Sequence, residues 1–452
     1  MDDLASHIER NREAFVSELM ELLRIPSVSA DPDRKEDTAR CARHVAGIFR
    51  RMGLEARIVE TPGHPIVRAD YSHPENKRTY LVYGHYDVQP PDPLDKWLEP
   101  PFEPWLDGED VVARGASDDK GQFLAHILAA GTHLATRGRI PVNLIFLIEG
   151  EEEVSSDHLA DYLEKEAPGL RADGAVVSDT SMWGPDTPAL GLGLRGIAAA
   201  EIRLRGPARD LHSGGFGGAV ANPAAELARV LASLHDEDRR VAVPGFYDQV
   251  REIPREEKEL LSQVPFDEGE FLDSTGAPAL WGERGYSTLE RIWFRPTCEV
   301  NGIAGGYRGE GTKTIVPTCA GAKITMRLVP DQDPETVLEL FEAHVKRTAP
   351  PSVEVEVIKQ GGARPVSLSP DNPLVQAAAG AEERAFGKKP IFIRSGGSIP
   401  VVGELKRILG LDVLLMGFGL EDDRIHSPNE KFSLERFRKG ILTSAYLWEE
   451  LA

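Results

Sequence analysis

The chain has 452 residues, of which 41% are hydrophobic and 28% charged, with a formal net charge of −21. That length buries substantial cores and predicts two or three domains of an ordinary globular protein. So acidic a balance excludes nucleic acid and anionic membranes as expected partners, because both bind a basic footprint.

Leu4, Ile8, Phe15, Leu19, Leu22 and Leu23 recur at helical spacing and predict an amphipathic opening helix over 4–24, ended by Pro26. A second helix is predicted over 36–52, stopping at Gly53, followed by strands over 56–59 and 80–83. The Pro- and Trp-rich segment 89–110 reads as loop and 121–135 as helix. Residues 142–148 are nearly all apolar and rich in β-branched and aromatic side chains. Preceded by Pro141 and ended by Gly150, they read as a strand buried on both faces. A helix over 156–166 and a strand over 174–178 continue an alternation that means an α/β layer fold.

From residue 197 the pattern changes. Residues 197–204 and 352–358 alternate with period two, 321–329 reads as a further strand, and 222–234 and 334–347 are helical. This describes a small α+β domain with one sheet face covered by helices. The stretch 241–295 is charged and loop-rich. After 364 the α/β character returns, with a helix over 373–386, a strand over 390–393, a helix over 400–408, a strand over 412–415 and a closing helix from Leu434. The expected organisation is one α/β domain in two parts, 1–196 and 364–452, interrupted by an inserted domain over 197–363. There is no internal repeat.

Three scattered cysteines, Cys41, Cys298 and Cys319, offer neither a disulfide framework nor a metal motif and fit a reducing compartment. Met1-Asp2-Asp3 starts no signal-peptide pattern, and no apolar run reaches membrane-spanning length. The expected location is cytoplasmic.

The run Glu149-Gly150-Glu151-Glu152-Glu153 places four carboxylates at the carboxyl end of a buried strand, where open α/β sheets build their sites. Clustered like charges need solvent, protons or cations to offset them. Taken alone, such a run is a solvated acidic loop. Other strand ends carry metal-ligand residue types as well: His85 with Asp87, Asp118 with Asp119, Asp179, and the late Asp422-Asp423-Arg424-Ile425-His426-Ser427. Residues two apart in a strand point the same way, so Asp87 is placed to orient the His85 ring.

Gly84-His85-Tyr86-Asp87-Val88, Ala116-Ser117-Asp118-Asp119-Lys120-Gly121, the glutamate run, Ser178-Asp179, Leu211-His212-Ser213-Gly214 and His426-Ser427-Pro428-Asn429-Glu430 stand in an order that resembles one family. It is the co-catalytic di-zinc metallopeptidases that include carnosinase, cytosolic non-specific dipeptidase, aminoacylase and glutamate carboxypeptidase. Ser395-Gly396-Gly397-Ser398-Ile399-Pro400 looks most like the dipeptidase branch. The resemblance covers essentially the whole chain. It implies a mixed, largely parallel sheet sandwiched by helices, with the insert acting as lid and dimerisation domain of a homodimer.

By the same resemblance, His85, Asp118 and Asp179 hold one metal, and Asp118, Glu153 and His426 the other. Asp118 bridges the two, with a cis peptide expected after it. Glu152 is the general base acting on a water between the metals, Asp87 steadies His85, and His212 stabilises the oxyanion from the partner subunit. Arg327 takes the substrate carboxylate, with Thr314, Ser398 and Gly397 as further substrate contacts. Two histidines and three carboxylates suit zinc, with manganese or cobalt open. Ser369-Pro370-Asp371-Asn372-Pro373 stands where some dipeptidases have His-Pro-His, which leaves the carboxyl-side contacts open. Glu149 and Glu151 have no expected role.

Gly191-Leu192-Gly193-Leu194-Arg195-Gly196 matches G-x-G-x-x-G, but a strand-like run follows where a dinucleotide site needs a helix. No G-x-S-x-G elbow supports a serine hydrolase. The expected function is metal-dependent hydrolysis of dipeptides or very short peptides. An N-acyl-amino-acid amidohydrolase or carboxypeptidase is the alternative, and a catalytically silent scaffold the alternative of another class.

Overall fold

The structure is a computed structural model that describes residues 2–452. The chain forms two compact units: the first runs to Leu192 and resumes over Leu368–Ile393 and Pro400–Ala452, and the second comprises Gly193–Ser367 with Arg394–Ile399. The strands used below are, in chain order, β1 (Glu55–Val59), β2 (Ile66–Tyr71), β3 (Thr79–His85), β4 (Asn143–Glu149), β5 (Gly174–Val177), β6 (Ala189–Leu194), β7 (Gly196–Arg205), β8 (Thr297–Gly305), β9 (Cys319–Leu328), β10 (Glu354–Ala363) and β11 (Val413–Leu415).

In the first unit the sheet runs in the order β1-β2-β4-β3-β5-β11-β6. The four strands β4, β3, β5 and β11 are parallel neighbours, and the flanking strands are antiparallel. Parallel strands bring their carboxyl ends to one edge, and that edge carries the site. β4 is buried from Leu144 to Glu149, as its unbroken apolar run predicts.

β2 is absent from the sequence expectations because Arg68 and Asp70 interrupt its apolar pattern; in the fold these two charges pair at 2.9 Å. β6 escaped for its glycines, yet a Cβ at Gly191 would lie 2.8 Å from Leu415 Cβ, so close strand packing requires glycine there. A further strand, β6, thus stands where the G-x-G-x-x-G match begins, and β7 follows it directly. The expected opening helix is two helices, Asp3–Arg10 and Arg12–Leu23, parted at Asn11. The Asn11 side chain donates to the His7 carbonyl at 2.8 Å, competing with the helical ladder.

The second unit contains a four-stranded antiparallel sheet, β8-β9-β7-β10. One face packs Ala200, Ile202, Leu204, Ile324 and Met326 against Leu227, Val230 and Phe341 of helices Pro223–Ala232 and Pro334–Thr348. The alternation of β7 dictates that one-sided core. Segment 241–295 contains three short helices, Arg255–Leu261, Glu268–Thr275 and Thr288–Trp293.

Helices Pro373–Phe386 and Leu434–Glu450 pack together in the first unit. Glu382 is fully buried there, and neither carboxylate oxygen has a hydrogen-bond partner among the described residues. Burial pushes its pKa well above the ordinary value of 4.5. A carboxyl raised in the fold stabilises below its unfolded pKa, and that contribution is lost as pH rises through the folded value. Glu382→Gln is therefore expected to match wild-type stability near pH 4 and exceed it at pH 7, the gap growing by at most about 1.4 kcal/mol per pH unit. Urea unfolding at both pH values checks this, and a constant gap would refute it.

Candidate active site

β3 and β4 lie in parallel register with His85 beside Glu149, β5 ends two residues before Asp179, and Asp118 sits in the turn entering helix Gly121–Arg137. The Asp118–Asp119 peptide is cis. His85 is fully buried. Its Nδ1 lies 3.1 Å from the Asp87 carbonyl and 3.4 Å from Asp87 Oδ1, and its Nε2 lies 3.0 Å from Asp118 Oδ1 and 4.0 Å from Asp179 Oδ2. An Nδ1–H held by Asp87 leaves the Nε2 lone pair facing the carboxylates. His426 Nε2 lies 2.9 Å from Asp118 Oδ2 and 3.3 Å from Glu153 Oε2.

The two groups His85–Asp118–Asp179 and Asp118–Glu153–His426 each bring one ligand-type atom per residue within 4.8 Å of one another. They share Asp118, one oxygen facing each group. This donor set fits two divalent cations: burial and the Asp118 charge push the Asp179 carboxyl up to about 8, a cost that cations remove. A third group, Glu18, Glu21 and His44, is partly exposed, and Glu18 already pairs with Arg51 at 2.6 Å.

Adjacent Glu152 and Glu153 diverge. Glu153 faces His426 and accepts from Gln89 Nε2 at 2.7 Å. The Glu152 carboxylate has no hydrogen bond or ion pair among the described residues, and burial raises its pKa. Asp87 does more than steady His85: its two oxygens accept from the Glu152 and Glu153 amides at 3.3 and 3.1 Å. The turn continues through Ser155 and Ser156 in left-handed conformation, with φ of 84° and 52°. Glu149 holds that turn, accepting from Tyr83 Oη at 2.5 Å and Ser156 Oγ at 2.9 Å, and Glu151 pairs with His158 at 2.8 Å. Gly150 is obligatory, because a Cβ would collide with the Tyr86 ring. The two carboxylates without an expected role are thus supports of the turn.

Sequence reasoning also missed Glu430, although it closes the His426 motif. Fully buried, Glu430 accepts from Arg114 Nη1 at 2.8 Å and from the amides of Gly115, Ser117 and Asp118 at 2.9, 3.0 and 3.0 Å. Buried Asp423 accepts from Ser117 Oγ at 3.0 Å and pairs with Arg436 at 3.3 Å. The His426 segment thereby grips the Asp118 turn from both sides. No periodicity reveals contacts across some three hundred residues of chain.

The remaining expected residues lie in the second unit in two places. His212 is exposed on a short ribbon opposite Ile315, next to Thr314, whose carbonyl accepts from the Ser213 amide at 3.0 Å. Arg327 Nη1 donates to Ser398 Oγ at 3.1 Å, with Gly397 adjacent. In the first unit, Asn372 of the departing Ser369–Pro373 stretch caps the following helix, accepting from the Leu374 amide at 2.9 Å.

A model of peptidase family M20/M25/M40 matches residues 81–450. The chain belongs to this family. It is a metallopeptidase of the family's dipeptidase branch. The Cys-Gly metallodipeptidase dug1 of Schizosaccharomyces pombe is 34% identical over 468 residues, covering 100% of this chain and 98% of the relative. The Beta-Ala-His dipeptidase of Homo sapiens is 30% identical, covering 100% of this chain and 93% of that protein. Among solved structures, the M20 family metallo-carboxypeptidase Sso-CP2 from Sulfolobus solfataricus is 34% identical with a TM-score of 0.85, covering 97% of this chain and 98% of the other. Family and fold class agree with the expectation from the motifs. No helix of the described residues is long and apolar enough to cross a membrane.

Proposed function

We propose that this M20/M25/M40 member hydrolyses the peptide bond of dipeptides or very short peptides bearing a free α-carboxylate, with Glu152 as general base. The observation carrying this reading is the pair of ligand groups sharing Asp118, beside a glutamate that belongs to neither group. Dipeptidase relatives that match the whole chain support the substrate class. Two divalent cations, zinc by ligand chemistry with manganese or cobalt as alternatives, would supply electrophilic activation of water and of the scissile carbonyl. Glu152 takes the proton of the attacking water and returns it to the departing amine, a task suited to a carboxyl whose pKa is raised. Arg327 and Ser398 hold the substrate carboxylate, a planar fork fitting it better than an ammonium, with Gly397 and Thr314 as further contacts.

Carboxypeptidase action on longer peptides is the second reading, favoured by the likeness to Sso-CP2. Metal analysis with a panel of dipeptides, longer peptides and N-acyl amino acids tests both: cleavage confined to dipeptides and very short peptides, abolished by chelation and restored by metal, is the expected result. Preferred cleavage of N-acyl amino acids would overturn it.

The inserted domain is proposed as the dimerisation domain, with His212 completing the partner's site. His212 Nδ1 accepts from the Gly214 amide at 3.0 Å, which leaves Nε2–H to donate to an oxyanion. Mixing inactive His212→Ala with inactive Glu152→Ala is expected to restore activity through hybrid dimers. Absence of rescue in demonstrably mixed dimers would place the histidine in cis.

A further inference from the structure

Every buried arginine of the first and second units is matched by a carboxylate. Arg68 pairs with Asp70, Arg114 with Glu430, Arg295 with Glu283, Arg394 with Glu257 and Arg436 with Asp423. Two partly buried arginines of the second unit break that pattern. Arg195 Nε donates to the Gly396 carbonyl at 3.1 Å and its Nη1 to the Arg295 carbonyl at 3.3 Å. Arg327 donates to Ser398 Oγ, and that hydroxyl donates in turn to the Arg195 carbonyl. Neither arginine has an ion pair among the described residues. Ser398 thus links the Arg327 side chain to the Arg195 backbone, and burial and the Arg327 charge push the Arg195 pKa down to about 10, with Glu299 opposing from beyond ion-pair distance. Two neighbouring guanidiniums, partly removed from water, with spare N–H donors and no carboxylate paired to either among the described residues, form a site for an anion.

We propose that Arg195 and Arg327 together form one carboxylate-binding site, and that Arg195 sets the enzyme's selectivity for substrates ending in a free carboxylate over a neutral terminus. This rests on the dipeptidase reading above. Arg195 also holds the Gly396 carbonyl and so positions the loop bearing Ser398, which makes geometry and charge act through one side chain.

The test compares kcat/KM for the best dipeptide of the panel and for its C-terminal amide in wild type, Arg195→Lys and Arg195→Met. Expected is a fall of about 10- to 100-fold for the free acid in Arg195→Met, the worth of a charged hydrogen bond, carried mainly by KM. The amide is expected to lose far less, and Arg195→Lys to recover part of the discrimination. Equal loss for acid and amide would overturn the proposal and reduce Arg195 to scaffold. If Arg195→Met does not fold, the acid-to-amide ratio of Arg195→Lys decides, an unchanged ratio overturning it. The melting-temperature rise given by sodium propionate over sodium chloride at equal ionic strength supplies a readout without turnover. A rise in wild type that is lost in the variants supports the site even if no dipeptide is cleaved, in which case the dipeptidase reading alone fails. No difference in that rise, with dipeptides cleaved and the acid-to-amide ratio unchanged, removes the site and leaves the dipeptidase reading standing.

Discussion

Glu152→Gln is expected to bind both metals yet lose about 10²- to 10⁴-fold in kcat, the worth of a positioned general base. The expectation follows from its place: it belongs to neither ligand group, its carboxylate has no hydrogen bond or ion pair among the described residues, and its backbone is held through Asp87. Glutamine preserves shape while removing the proton acceptor. Metal stoichiometry by elemental analysis beside steady-state kinetics checks it; loss of metal along with turnover would make Glu152 a ligand instead. The Glu153→Gln variant is the contrast, because Glu153 lies in the second ligand group and should lose metal.

Glu430→Ala is expected to destabilise the fold by about 3–5 kcal/mol, the cost of leaving one member of a buried ion pair uncompensated. Arg114 is 1% exposed and Glu430 0%, so solvent cannot replace the missing charge. Three amide donors of the Asp118 turn lose their acceptor at the same time. Denaturant unfolding of the metal-free protein reads the stability term. Metal titration of the folded fraction reads the second consequence, weaker binding at both groups, since Asp118 belongs to both. Stability within about 0.5 kcal/mol of wild type would show that Glu430 is no clamp; that margin is the ordinary scatter of surface substitutions. Arg114→Met combined with Glu430→Ala is expected to cost less than the sum of the single changes, because the buried charge leaves with its partner.

Much of the fold was legible because its signals are local. The apolar run of β4, the alternation of β7 and the helical spacing in Pro334–Thr348 each reflect one element facing one environment. β2 was not, since its Arg68 and Asp70 read as solvent-facing charges, whereas in the strand residues two apart share a face and these two pair. The break at Asn11 was missed for the opposite reason: a single side chain bonding its own backbone leaves the apolar spacing intact on both sides.

For the site, residue type and motif order identified the candidate ligands His85, Asp118, Asp179, Glu153 and His426, and the structure assembles them into two groups. Sequence by itself therefore determined which side chains are the candidates for that chemistry, because ligand type is a property of the residue and motif order carries the family resemblance. What holds those side chains was decided only by the tertiary structure. Glu430 gripping the Asp118 turn, Asp87 reaching the Glu152 and Glu153 amides, Tyr83 reaching Glu149, and Arg195 linked to Arg327 through Ser398 are contacts between segments distant in the chain, while Glu149 to Ser156 and Glu151 to His158 close within one turn that only the folded backbone defines. A carboxylate that braces a turn and one that binds a metal look alike in sequence, and only the donors that surround each of them tell them apart.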